Sequence, residues 1–241
     1  MARISLTSEL QILSFSPLSK DTCQVTGLTV TPDLSLNTLV IPETDAEGRK
    51  VVSIGDRAFA GITSLRRVDL PCSLMSIGNR AFAFCENLME VSFGLGNGRG
   101  CMLSHIGDRA FMGCDCLTVL SLGELQGDLV CGKKAFAHCT RLRTAVLPMG
   151  MTELSEGIFE GCRSLMYVRL PEALTVIRTS AFSSCRTLPI VSLPACVCRV
   201  DDCAFSFCSS LETVVFPEGE CMVSVSAFLD CPARPDFMKA V

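Results

Sequence analysis

Hydrophobic residues recur along the chain at fixed offsets from an Ala-Phe pair. Successive phenylalanines are separated by 23, 29, 25, 23, 23, 23 and 23 residues, and Ile158-Phe159 is a conservative variant of the pair. The repeated residues are Phe59, Phe82, Phe111, Phe136, Phe159, Phe182, Phe205 and Phe228. Eight copies at one dominant period predict a repeat protein in which similar units stack on one another.

The columns around the phenylalanine define a unit that reads L-x-x-V-x-L-P-x-x-L-x-x-I-x-x-x-A-F-x-x-C-x-x. The V-x-L segment has the two-residue period of a strand, and Pro or Gly ends it because Pro has no N–H to donate. The Ala-Phe segment is too short for an ordinary helix and predicts a single helical or 3₁₀ turn. We therefore expect a β-solenoid in which each strand pairs in parallel with the next, in one continuous sheet.

This pattern resembles a known repeat family. The L-x-x-V-x-L-P and A-F-x-x-C elements are similar to BspA-like, or Treponema pallidum-type, leucine-rich repeats over about residues 36–231. The resemblance implies a right-handed superhelix that mostly binds proteins. It also implies a place on the surface of bacteria or parasitic protists for many members, with a role in adhesion.

The ends of the chain depart from the repeat. Residues 1–35 fit no complete unit and predict an N-terminal cap built as a hairpin, followed by about eight 23-residue units over residues 36–231. Residues 232–241 then form a C-terminal cap in which Phe237 and Met238 cover the last apolar face. Capped ends are expected because an array would otherwise leave its terminal core open to water.

Composition narrows the possible functions. Hydrophobic residues make up 49% and charged residues 19%, which argues against disorder, and the net charge of −4 argues against nucleic acid as a partner. The chain shows no apolar run of the roughly 18 residues that a membrane span needs. The chain has only two histidines and one tyrosine, His105, His138 and Tyr167. It shows no acid–base pair and no cofactor-binding loop. We expect no enzymatic activity and no cofactor.

The cysteines need a separate interpretation. Seven of the sixteen stand three residues after the phenylalanine, a position that Ile62 takes in the first unit. The exchange with Ile indicates a small buried hydrophobe, and we expect a column of reduced thiols. Cys196, Cys198 and Cys203 could meet at one edge, so a thiol-binding or zinc-binding protein stays open as an alternative. Unpaired cysteines and the absence of a signal peptide favour the cytoplasm, whereas the resemblance implies a cell-surface or secreted protein.

The variable residues of L-x-x-V-x-L-P predict a binding face. They point away from the core, and several are aromatic, Met or Arg, the types that are enriched in interface cores. The candidate partner-binding residues are Arg67, Met89, Glu90, Val119, Arg143, Val146, Met166, Tyr167, Arg169 and Ile190. We expect noncatalytic binding of a protein partner on a concave sheet. A surface or adhesive scaffold is the alternative, and an inert strand surface also stays open, since β-branched residues favour strands in any case.

A second stripe of residues is basic. Arg57, Arg80, Arg109 and Lys134 each stand two residues before the phenylalanine, interleaved with Asp and Asn. A solvated edge is favoured here over an anion site.

Overall fold

The computed structural model describes residues 12–29, 36–93, 101–125 and 128–232. The glycine-rich insertion at 94–100 lies outside the described residues. So do residues 233–241, which include Phe237 and Met238 of the predicted C-terminal cap. Among the described residues, no helix is long and apolar enough to cross a membrane.

The described chain opens with an antiparallel hairpin. Strand β1 (Leu13–Pro17) pairs with β2 (Thr22–Leu28), which in turn pairs in parallel with β4 (Lys50–Ile54) of the first unit. The hairpin therefore lies against the first unit of the array. The proposed boundaries of the two caps and the array stay a prediction.

Each repeat unit forms one coil of a β-solenoid, as expected. We number the coils by their phenylalanine, from Phe59 in coil 1 to Phe228 in coil 8, and in coils 1 to 7 each coil runs from the strand that precedes its phenylalanine to the V-x-L strand that follows it. One side of the coils is formed by the V-x-L strands: β3 (Thr38–Val40), β5 (Arg67–Leu70), β7 (Glu90–Phe93), β9 (Val119–Ser121), β11 (Thr144–Val146), β13 (Tyr167–Arg169), β15 (Ile190–Ser192) and β17 (Thr213–Val215). A second side is formed by β4 and by seven two-residue strands: β6 (Ser76–Ile77), β8 (His105–Ile106), β10 (Val130–Cys131), β12 (Glu153–Leu154), β14 (Val176–Ile177), β16 (Arg199–Val200) and β18 (Met222–Val223).

The Ala-Phe segment forms successive tight turns in place of the helical turn expected from the sequence. In coils 1 to 7, the residues two before and two after the phenylalanine have left-handed backbone; in coil 2 they are Arg80 (φ 54°) and Phe84 (φ 61°). This alternation directs the N–H groups of Arg80, Phe82 and Phe84 to carbonyls of coil 3, at 2.7–2.9 Å. A helical turn would bond those groups within its own coil, so the tight turns are what link one coil to the next.

The phenylalanine rings form one continuous stack through the core. Neighbouring ring centroids lie 5.1–5.9 Å apart, and the ring planes differ by at most 19°. The first ring, Phe59, is 1% exposed and the last, Phe228, is 3% exposed. The predicted register of the repeat is confirmed.

The cysteine column has a hydrogen-bonding role beyond filling space. In each of coils 2 to 8, the column thiol donates to the phenylalanine carbonyl of the preceding coil; Cys162 Sγ, for example, lies 3.2 Å from the Phe136 oxygen. Coil 1 follows the hairpin rather than another coil, so no stacked phenylalanine precedes it, and its column residue is Ile62. Cys is therefore selected where a small buried donor is needed, and Ile where none is.

Replacing Phe182 with Ala should destabilise the array by about 3–5 kcal/mol, because a central ring and its contacts on both sides are lost. Met166→Ala, at an exposed site in the neighbouring coil, should change the free energy of unfolding by about 0.5 kcal/mol or less. Denaturant unfolding followed by circular dichroism measures both. Equal midpoints for the two variants would contradict a single stacked core.

The column thiols should resist alkylation in the folded protein. Burial raises the pKa of Cys85 to about 11, and it also raises the pKa of Cys185, so both are protonated and inaccessible at pH 8. The exposed Cys196 and Cys198 should react with iodoacetamide within minutes, and the column only after denaturant is added. Peptide mass spectrometry measures the extent of labelling at each cysteine. Rapid labelling of the column in native buffer would show that coils open readily or that the thiols are not buried.

Candidate partner-binding face

The strand face is the outward side of the V-x-L strands from β5 to β17. The middle residue of each three-residue strand points into the core and its two neighbours point outward. In β9, Leu120 is 1% exposed whereas Val119 is 54% exposed. The ten predicted partner-binding residues all lie on these strands or directly before them, but the structure divides them among three sheets.

The division follows the strand order β3-β5-β7, β9-β11-β13 and β15-β17. Arg67, Met89 and Glu90 belong to the first sheet. Val119, Arg143, Val146, Met166, Tyr167 and Arg169 belong to the second, and Ile190 belongs to the third. The prediction of one continuous ladder is therefore wrong at two steps.

Proline explains the step between β13 and β15. The N–H of Met166 donates to the Arg143 carbonyl at 2.9 Å, and the N–H of Glu212 donates to the Pro189 carbonyl at 3.0 Å. Pro189 takes the equivalent place in its own coil and has no N–H, so the matching bond to the Met166 carbonyl cannot form. The step between β7 and β9 coincides with the insertion at 94–100.

The first sheet neutralises its own charges. Arg67 Nε lies 2.9 Å from Asp69 Oδ1, and Arg67 Nη1 lies 3.0 Å from Glu90 Oε2. Asp69 is buried, so it depends on this guanidinium for its charge to be compensated. Two of the predicted partner-binding residues, Arg67 and Glu90, are thus engaged with each other. Which residues pair in this way depends on side-chain conformations that the repeat pattern does not reveal.

The second sheet brings six of the predicted residues together. Thr144 of β11 is in register with Val119 on one side and Tyr167 on the other, and Val146 is in register with Arg169. Tyr167 and Met166 are both more than half exposed, at 55% and 57%.

Two arginines flank this apolar surface without a carboxylate partner. Within the described residues, neither Arg143 nor Arg169 forms an ion pair, and Arg169 Nη2 instead contacts Met149 Sδ at 3.6 Å. Met149 is exposed and extends the surface, but sequence reasoning missed it because it follows the strand segment rather than forming part of V-x-L. We call the set Val119, Arg143, Val146, Met149, Met166, Tyr167 and Arg169 the central patch.

The structure also tests the alternative of a thiol or metal site at one edge. In the part of the chain that the structure describes, no group of three or more His, Cys, Asp or Glu side chains is placed to hold a metal ion, so the suggested meeting of Cys196, Cys198 and Cys203 is wrong. Cys221 takes the place of Cys198 in the next coil. Burial, followed by the charge of Cys198, raises the pKa of Cys221.

Comparison with known proteins supports the repeat assignment. The family model described as the BspA type leucine rich repeat region matches residues 33–127 and 129–234, with six copies of the repeat. The chain belongs to the BspA-type leucine-rich repeat family. Leucine-rich repeat solenoids of this kind are generally non-enzymatic scaffolds, and they commonly occur as interaction or surface proteins. None of the curated proteins compared with the chain matches it.

Solved structures show the same BspA-type fold. A leucine rich cell surface protein from Faecalibacterium prausnitzii is 30% identical, with a TM-score of 0.73 over 89% of this chain and 54% of its own. The Treponema pallidum leucine rich repeat protein is 26% identical, with a TM-score of 0.70 over 95% of this chain and 90% of its own. A leucine-rich repeat protein from Bacteroides ovatus is 26% identical, with a TM-score of 0.78 over 93% of this chain and 58% of its own. The chain thus spans little more than half the length of two of these relatives.

Arg67 and Arg169 should differ in their effect on stability although both were predicted to contact a partner. Arg67→Ala leaves the Asp69 carboxylate buried without its guanidinium, which should cost about 1–3 kcal/mol. Arg169→Ala should cost about 0.5 kcal/mol or less, since no carboxylate depends on it. Thermal and denaturant unfolding of the two variants test this difference. A loss of stability for Arg169→Ala as large as that for Arg67→Ala would remove the distinction between the two sheets.

Proposed function

We propose that this BspA-type array is a noncatalytic recognition module that binds a protein partner on its strand face, centred on the central patch. The observation that carries the proposal is the half-exposed Tyr167 and Met166 between two arginines that have no carboxylate partner among the described residues. Tyr, Met and Arg are enriched in interface cores, and Tyr and Arg dominate binding hot spots.

The backbone under the patch supports tight binding. β11 pairs with β9 on one side and β13 on the other, so the patch is built on a hydrogen-bonded sheet rather than on loops. The core beneath it is closed, with Leu120 and Ala145 buried. A surface that is already ordered loses little conformational entropy when a partner docks.

Charge suggests what the partner presents. Asp69 and Glu90 on the strand face are bound by Arg67, whereas Arg143 and Arg169 are available. We therefore expect the partner to place carboxylates opposite β11 and β13 and an apolar group over Tyr167 and Met166. Such a pattern would also steer association more strongly at low salt.

A surface or adhesive scaffold is the second candidate function. It is favoured by one relative, the Faecalibacterium prausnitzii protein, which is described as a leucine rich cell surface protein. In that case the array would present its face outside the cell. Protease treatment of intact source cells, with immunoblotting for the chain, distinguishes exposure at the surface from an internal location.

The recognition role is tested by comparing the wild type with the double variant Tyr167→Ala, Arg169→Ala. Proteins retained on the immobilised wild-type chain are identified by quantitative mass spectrometry, and the strongest one is purified for titration calorimetry. The double variant should weaken its binding by about 30-fold or more, since the loss of even one hot-spot residue costs about 2 kcal/mol or more.

The matched control is Arg163→Ala, which removes an exposed arginine from the turn of coil 5 rather than from the strand face. It should bind like the wild type, and all variants should unfold near the wild-type midpoint. Undiminished binding by the double variant would move the docking surface away from the central patch. Equal loss in the control would indicate nonspecific attraction to positive charge.

A further inference from the structure

The turn side of coils 1 to 3 carries a second candidate site, apart from the strand face. A cavity of about 380 Å³ lies there, lined by Arg57, Ala60, Arg80, Ala83, Phe84, Arg109 and Met112. We call it the arginine groove. Its volume falls in the range of small-molecule sites, about 300–1,000 Å³.

Three guanidinium groups from successive coils form one wall of the groove. Within the described residues, Arg57, Arg80 and Arg109 form no side-chain hydrogen bond or ion pair. The next cation in the column, Lys134, does pair, with Glu160 at 3.0 Å. Among the described residues of this column, the cations without a carboxylate partner are therefore those of the coils that line the groove.

The neighbouring acidic residues are engaged with the backbone instead. Asp56 Oδ1 accepts the N–H of Asn79 at 2.7 Å, and Asp108 Oδ1 accepts the N–H of Lys133 at 2.8 Å. Asp56, Asn79 and Asp108 line a second cavity together with the same three arginines. The arginines thus border both a polar cavity, lined by Asp and Asn, and the groove, whose other lining residues Ala60, Ala83, Phe84 and Met112 are apolar.

The groove residues share the left-handed backbone of the other Ala-Phe turns. Arg57, Arg80, Phe84 and Arg109 have φ between 54° and 61°. The same two columns hold other large residues at Lys134 and Phe207, and they hold glycine at Gly61, Gly113, Gly157 and Gly161, where that conformation carries no penalty. The Phe84 ring is half exposed, so its face is available to a ligand in the groove.

We propose that the arginine groove binds a small aromatic oxyanion, such as an aryl phosphate or aryl carboxylate. The guanidinium groups would hold the oxyanion by paired N–H donation, and the aromatic ring would stack on Phe84 and contact Met112. An inorganic anion would use only the arginines, and a neutral ring only the apolar side. Both should therefore bind more weakly than a ligand that carries the two groups together.

The chain's own glycines supply the test variants. The double variant Arg80→Gly, Arg109→Gly introduces glycine at two positions of the column that holds Gly157 in coil 5. The fold should therefore persist. Phenyl phosphate is titrated into isotope-labelled protein, and amide shifts of Arg57, Arg80, Phe84 and Arg109 are followed. The wild type should show saturable shifts, and the double variant should bind at least about tenfold more weakly with an unfolding midpoint near that of the wild type.

The apolar side is tested separately with Phe84→Gly. This variant should lose affinity for phenyl phosphate by about threefold or more, while its weaker affinity for inorganic phosphate stays unchanged. Ser184→Gly, at the left-handed position of the Phe84 column in coil 6 and outside the groove, controls for the glycine itself. Should the double glycine variant unfold, Arg80→Gln with Arg109→Gln removes the charges while keeping a side chain at each position, and it should give the same loss.

Three results would overturn the proposal. The first is the absence of saturable shifts with phenyl phosphate. The second is equal affinity of the wild type for phenyl phosphate and inorganic phosphate, which would leave Phe84 without a role. The third is binding of a polygalacturonate fragment without binding of phenyl phosphate, which would assign the groove to an acidic polysaccharide.

Discussion

The array depends on the hydrogen bonds that the Ala-Phe segments donate across each boundary between coils. The N–H of every core phenylalanine from coil 1 to coil 7 reaches a carbonyl of the next coil at 2.7–3.0 Å. These bonds set the distance between neighbouring coils. That distance allows the rings to stack and allows each column thiol to donate to the phenylalanine carbonyl of the preceding coil. Because the coils are positioned by main-chain atoms, the side chains on the strand face and in the arginine groove are free to vary.

That freedom is visible in the outward-facing columns. The inward columns repeat Phe, Leu and Cys with few exceptions, whereas the outward positions change from Arg67 to Tyr167 to Thr213 along one side of the coils. Under the proposed function, recognition depends on which side chains this nearly constant backbone presents. The central patch, on coils 3 to 5, and the arginine groove, on coils 1 to 3, are two such selections on different sides of the solenoid.

The frame was predictable from the sequence, and its local exceptions were less so. The spacing of Phe182 and its copies identifies the core because each ring must find the same neighbour in every coil. The tight turns were not predicted, since Arg80 and Phe84 occupy positive φ angles that sequence reasoning reserves for glycine. The break at Pro189 was visible in principle, because a residue without an N–H stands where the ladder needs a donor. The pairing of Arg67 with Asp69 and Glu90 follows from side-chain geometry that no spacing encodes.

The interruptions in the two sheets fall at different boundaries. The strand face is broken between β7 and β9 and between β13 and β15, whereas the second side is broken between β10 and β12. These are the boundaries between coils 2 and 3, 5 and 6, and 4 and 5, and the phenylalanine ladder crosses all of them. No boundary in the described array therefore lacks hydrogen bonds on both sheets at once. A force that shears the solenoid meets no continuous plane of weakness, so mechanical load is shared along its length.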